Sequence, residues 1–262
     1  MTNRERLGGT FDQAAELYQD ARPEYPDALF ERLVEAAKLR RGDRVLEVGP
    51  GPGKATLHMV RRGLQVTAVE PGAALAAQAR ANLAGHPVEV VNRRFEDWNA
   101  QPGEFAAVVA ATAWHWLDPD LRYGRAAHAL RPDGHLAIWS AQHVFPVGGD
   151  PFFEDLQEVY DQIGEAAPEG APRPAPGELP EMTDEIRATG QFQMVSVDHF
   201  DWTVDYTAET YINLLRTFSG HIAMAPADRD RLFSEIRRRV ALRPGGTVRR
   251  GWGTVLHIAR KL

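Results

Sequence analysis

Three glycines, Gly49, Gly51 and Gly53, alternate with prolines in VLEVGPGPGKAT, residues 45–56, between an apolar run and a helical pattern. Glycine has no Cβ, so such a turn lets backbone N–H groups approach a ligand where a helix begins. About twenty residues past the first glycine, the run LQVTAVE ends in Glu70, where a carboxylate can accept both hydroxyls of a ribose. Together the two features point to an adenosine-containing ligand, although a glycine turn of this kind, taken alone, also serves as a plain chain reversal. Farther on, Trp114, His115 and Trp116 follow the apolar run FAAVVAA. They supply aromatic faces suited to a cation and one ring that could take up a proton.

Which ligand the turn holds depends on its details. A dinucleotide fingerprint asks for G-x-G-x-x-G, whereas here Lys54 takes the third position and the third glycine comes early, at Gly53. Glu47 stands two residues before the first glycine and is placed by this reading inside the mouth of the site. Its charge there would repel a pyrophosphate and attract an ammonium group. S-adenosylmethionine carries an ammonium and a ribose but no phosphate, so the pattern favours it over a nicotinamide cofactor.

These residues need a scaffold. Helical spacing is expected over residues 26–39, 53–62, 72–83, 117–130, 151–164, 207–218 and 227–242. Strands are expected at Arg44–Val48, Leu64–Glu70, Val88–Val91, Phe105–Ala111, His135–Ser140, Phe192–Val204 and Thr254–Ala259. Up to about residue 140, strand and helix alternate with short connections, which argues for a parallel sheet covered on both faces. Burial on both faces also explains why FAAVVAA lacks polar alternation. The stretch EAAPEGAPRPAPGELPE, residues 165–181, is rich in proline, glycine and alanine and reads as a loop or linker.

Composition bounds the function. The chain has 262 residues and a formal net charge of −6, with no basic stripe interleaved with aromatics, so neither nucleic acid nor an anionic membrane is an expected partner. It has no cysteine, which excludes thiolate catalysis and cysteine-ligated metal. The nine histidines are scattered and form no metal motif, so metal dependence is not expected. The opening residues MTNRERLGGTFDQ lack the apolar core of a signal peptide, and no run is long enough to span a bilayer. A soluble, cytoplasmic protein is the expectation.

In order and spacing, the motifs between residues 45 and 140 resemble those of class I S-adenosylmethionine-dependent methyltransferases of the small-molecule type. VLEVGPGPG resembles the first motif and VEPGAALA the second-strand acidic motif. RRFEDW stands where the adenine-flanking motif is expected, and ALRPDGHLAIW resembles the fifth-strand motif. FDQAAELYQDARPEYP, TAWHWLD, LLRTFSGH and LHIAR are similar to a subgroup related to trans-aconitate methyltransferases.

The resemblance implies an α/β, Rossmann-like fold. Its sheet has seven mostly parallel strands with the last antiparallel, helices on both faces, and a helical lid built from the N-terminal segment and a C-terminal insert. One domain would span residues 1–262: cap helices in 1–40, the cofactor core in 41–145, lid, substrate segment and late strands in 146–250, and the final strand in 251–262. Gly49, Gly51 and Gly53 would line the methionine portion with Glu47 nearby, and the backbone of Ala111 or Thr112 would lie alongside it. Glu70, followed by Pro71, would hold the ribose. Phe95 and Glu96 would flank the adenine, with Asp97 an alternative to Glu96; Phe95 departs from the small residue common there. Tyr18 and Arg22 would fold over the cofactor, Arg22 pairing with its carboxylate. Trp114, His115, Trp116 and Arg216 would face the acceptor, with His115 the candidate general base. The implied reaction is methyl transfer to an oxygen of a small molecule, leaving S-adenosylhomocysteine. Nitrogen, carbon or sulfur acceptors and a non-catalytic cofactor-binding role are the alternatives.

Overall fold

The computed structural model describes residues 15–165 and 171–262, with the side chains of Ala15, Glu16 and Tyr18 outside that description. The described residues open with helices α1 (Ala15–Ala21) and α2 (Asp27–Ala36). Strand–helix alternation follows as β1 (Arg44–Val48), α3 (Lys54–Arg61), β2 (Gln65–Glu70), α4 (Ala73–Asn82), β3 (Val88–Asn92) and β4 (Phe105–Ala111). Then come α5 (Arg122–Ala129), β5 (Leu130–Trp139) and β6 (Gln142–Val144). The remainder comprises α6 (Phe152–Asp155), α7 (Gln157–Gln162), α8 (Thr183–Ala188), β7 (Phe192–Thr207), α9 (Ala208–Leu215), α10 (Ser219–Ala223), α11 (Pro226–Ala241) and β8 (Thr247–Lys261).

The sheet runs β3-β2-β1-β4-β5-β8, parallel as far as β5 and antiparallel from β8. The eight strands described reduce to seven ribbons. His135 pairs with Arg260 and Gln142 with Gly253, one unbroken register, so β5 and β6 lie end to end along one edge of β8. β7 covers the whole other edge, from Phe192 opposite Lys261 to Thr207 opposite Thr247. The expected mostly parallel sheet is present, with the antiparallel strand inserted beside β5.

Both faces of the central strands β1 and β4 are buried. Val45, Ala107 and Val109 join α2 and α3 in one apolar core, while Leu46, Val48, Val108 and Ala110 join α5 in the other. Successive side chains of a strand point to opposite faces, so a strand buried on both sides must read as a continuous apolar run. A third core gathers Phe152, Phe153, Tyr211, Ile212, Leu232, Ile236 and Trp252, so α6, α7, α9 and α11 pack on the outer half of the late strands.

Several boundaries differ from the expectation. The helix expected from Leu117 begins at Arg122, because residues Trp114–Trp116 form a 3₁₀ turn and Asp118 caps the next turn by accepting from the Asp120 N–H at 2.9 Å. The last strand starts at Thr247 and not at Thr254, and β6 and α8 were not expected at all. No described helix is long and apolar enough to cross a membrane.

Candidate functional site

A cleft of about 1070 Å³ opens at the carboxyl ends of β1, β2, β4 and β5. Strand β1 lies between β2 and β4, the place where strand order reverses and helices leave the sheet on opposite sides. The glycine turn forms its floor. Gly49 and Gly51 both sit at positive φ, +65° and +57°, a region open to glycine at little cost. A Cβ on Gly49 would stand 2.6 Å from that of Ala113, so the turn and the exit of β4 can approach this closely only without a side chain.

Glu70 ends β2 at the edge of this floor. Its Oε2 accepts from the Gly51 N–H at 3.0 Å and its Oε1 from the Gly72 N–H at 2.9 Å. Two backbone donors on its two oxygens fix the orientation of the carboxylate at the edge of the cleft. Asn92 steadies the strand end by donating to the Glu70 carbonyl at 2.8 Å.

Glu47 requires a correction. It does not line the cleft: it is fully buried behind the turn, where its Oε2 accepts from the Thr56 hydroxyl at 2.5 Å and its Oε1 has no partner. Burial, aided by the charge of Glu70 and opposed by Thr56, pushes its carboxyl up to about 7. The acidic group that faces the cleft at the turn is Glu70. The Gly51 amide, which could meet a phosphate, is committed to that carboxylate.

Gly53 is also off the cleft. At φ +97° it forms the N-terminal boundary of α3, and a Cβ there would press to 2.8 Å on Leu83, so its bareness serves packing. Arg216 lies one residue past α9, exposed and away from the cleft, donating to Asn213 Oδ1 at 3.3 Å. The expected side-chain role of Tyr18 lies outside the described residues.

The other expected residues line the cleft: Arg22, Pro71, Phe95, Glu96, Ala111, Thr112, Trp114, His115 and Trp116. Between the two acids of the RRFEDW turn, Glu96 is the buried one, accepting from the Asp118 N–H at 3.0 Å, while Asp97 is exposed. The Arg22 guanidinium donates to Thr217 Oγ1 at 2.8 Å and to its carbonyl at 2.9 Å, and lies 4.1 Å from the Phe218 ring centre. It therefore ties the segment after α1 to the end of α9 above the cleft. Thr112 sits at φ 57°, strained for a β-branched residue. It is held by its N–H on Trp139, a 2.8 Å bond between its hydroxyl and that of Tyr25, and a 3.2 Å bond accepted from the Ala141 N–H.

Trp114 is buried against Tyr123 at 5.1 Å, whereas His115 is exposed at the rim, 4.8 Å from Trp116. The other lining histidine, His257 on β8, was missed. Its Nε2 accepts from the Met182 N–H at 2.8 Å and burial lowers its pKa. A neutral ring arranged so carries its proton on Nδ1 and has no lone pair for proton uptake, which leaves His115 as the candidate base. Lys54 and Trp252 also line the cleft; the Lys54 ammonium is paired with Glu24. Lys54 directly follows the glycine turn, and that adjacency was the signal available for it.

Residues 45–134 match the model of a methyltransferase domain. An uncharacterized methyltransferase of Mycobacterium tuberculosis is 28% identical over 243 residues, covering 92% of this chain and 90% of that protein. Among solved structures, one from Anaeromyxobacter dehalogenans, described as a type II methyltransferase, superposes with a TM-score of 0.66 at 24% identity over 91% of this chain and 97% of that one. Another, a Haemonchus contortus N-methyltransferase in complex with S-adenosylhomocysteine, superposes with a TM-score of 0.52 at 15% identity over 94% of this chain and 57% of that one. The structural likenesses show a Rossmann-like fold. The domain match spans the strands and turns that line the cleft, from β1 into β5.

Proposed function

We propose that this protein transfers a methyl group from S-adenosylmethionine to an oxygen, carboxylate or hydroxyl, of a small molecule. The observation that carries the reading is the Glu70 carboxylate, fixed by the Gly51 and Gly72 amides over a bare-backbone floor. The cleft fits the cofactor in three respects. Gly49 leaves a cradle that a Cβ would fill, Glu70 sets a carboxylate at the end of β2 where a ribose would lie, and Phe95 with Glu96 forms one wall beside it.

Bound there, S-adenosylmethionine would supply a methyl group already activated on a sulfonium. The chain's part is to position. Glu70 would hold the ribose, Phe95 and Glu96 the adenine, and the backbone from Ala111 to Thr112 the methionine portion. The Arg22–Thr217 link and the Trp114–Trp116 turn border the cleft. Alignment of donor and acceptor supplies most of the acceleration in such a displacement. An ionised carboxylate needs no base, whereas a hydroxyl would give its proton to His115. Similarity to the trans-aconitate subgroup favours the carboxylate.

Methyl-labelled S-adenosylmethionine offered with a panel of carboxylic acids and phenols tests this. Label that enters the acceptor and is released by alkali marks a methyl ester, and stable label on a phenol marks an ether. Label found only on nitrogen, carbon or sulfur overturns the assignment to oxygen.

A further inference from the structure

Beside the cleft lies a second cavity of about 550 Å³, and Phe218 lines both. Trp252 of β8 faces the first cavity and Arg250 the second. Residues two apart on a strand share a face, which puts them about 7 Å apart along it. Arg250 is only 7% exposed, with its guanidinium carbon 4.2 Å from the Phe153 ring centre and 4.7 Å from that of Phe145. Its Nε is buried without a partner, and among the described residues no carboxylate pairs with it. Its neighbour Arg249, by contrast, is held by both oxygens of Asp205 at 2.6 and 2.7 Å.

A buried, unpaired guanidinium is costly, and stacking on rings only partly offsets that. The nearby Arg173 adds like charge, approaching Phe145 to 4.5 Å from its own pairing with Glu154 at 3.4 Å. The histidines of the cavity do not compete for an anion: burial holds His143 well below its ordinary range and brings His221 down to about 4. Glu165, the acid among the described lining residues, is exposed. One buried cation therefore faces a cavity walled by Phe145, Phe153, Leu156, Tyr160 and Tyr211.

We propose that Arg250 anchors a carboxylate of the methyl acceptor in this second cavity, apart from the position that receives the methyl group. The proposal rests on the methyl-transfer reading and narrows it. The acceptor is bifunctional, an apolar or aromatic acid with a second oxygen group, either a hydroxy acid or a dicarboxylic acid. The anchored carboxylate stays ionised and unmethylated.

The test is calorimetric titration of 3-phenylpropionate and the straight-chain carboxylates from butanoate to decanoate, each against its amide, with S-adenosylhomocysteine present. Wild type is expected to bind at least one acid about ten-fold or more tighter than its amide. Arg250→Gln should abolish that difference and Arg250→Lys should keep part of it, while both bind S-adenosylhomocysteine as wild type does. Equal binding of every acid and amide to wild type overturns the proposal, as does discrimination that survives in Arg250→Gln. Tighter binding of phenyl phosphate than of any acid overturns the assignment to a carboxylate. If S-adenosylhomocysteine fails to bind wild type while the acids still discriminate, the methyl-transfer reading falls and the acid pocket stands.

Discussion

Replacing Glu47 by glutamine should stabilise the protein at alkaline pH and leave it unchanged at acid pH. In the folded chain the carboxyl is fully buried and pushed from its ordinary 4.5 up to about 7. Below 4.5 the group is protonated whether the chain is folded or not, and it imposes no penalty. As pH rises toward 7, the unfolded chain ionises while the fold keeps the proton, so stability declines. Above that range the full penalty is present, about 3 kcal/mol for a displacement of this size. Glutamine keeps the shape and can still accept the Thr56 hydroxyl that now bonds Oε2. Thermal denaturation across the pH range is the assay. Near neutral and alkaline pH the variant should melt higher by roughly 6–12 °C, given about 2–4 °C per kcal/mol for a domain of this size. The two proteins should converge at about pH 4.5. A gain that is the same at every pH, or a loss at alkaline pH, would refute the reasoning.

Further tests address the site. Gly49→Ala should destabilise by roughly 2–4 kcal/mol in urea unfolding, combining a left-handed alanine with a 2.6 Å approach to Ala113 Cβ. Adding Ala113→Gly should restore the steric part alone. Tyr25→Phe removes one hydroxyl from the Thr112 cluster and should cost about 1 kcal/mol in the same assay. His115→Ala should leave S-adenosylhomocysteine affinity intact. With a hydroxyl acceptor kcat should fall about 100-fold or more, and with a carboxylate acceptor kcat should hardly change.

The glycine-turn side of the cleft was legible in the sequence because the strand pattern and the turn are written locally. A strand buried on both faces must be continuously apolar, a turn that meets Ala113 at van der Waals limits must be glycine, and an acid closing the next strand must reach that turn. The side of the cleft lined by β8 was less legible because tertiary register decides it. The apolar stretch Thr254–Ala259 sets the expected last strand, and Gly251 and Gly253 fall just before it. They are bare because a Cβ on either would strike Val144 of β6, at 2.7 Å in each case. Once β8 is extended back to Thr247, alternation from Trp252 sends Arg250 inward and Arg249 outward, a distinction that a bare pair of arginines does not display. Arg216 misled for the complementary reason: it follows two buried leucines but lies beyond the helix end, where the chain turns it to solvent. Glu47 was placed at the right distance from the glycines, yet β1 aims it into the interior.

The most direct test of the central claim is the melting temperature of wild type and Glu70→Ala with S-adenosylmethionine, S-adenosylhomocysteine or NADH. At about 100 times its dissociation constant a ligand stabilises the fold by roughly 2.7 kcal/mol. The two sulfur compounds should raise the melting temperature of wild type, NADH should not, and the rise should be lost in Glu70→Ala. A rise with NADH alone, or equal stabilisation of the variant by S-adenosylhomocysteine, would contradict the placement of the cofactor on Glu70.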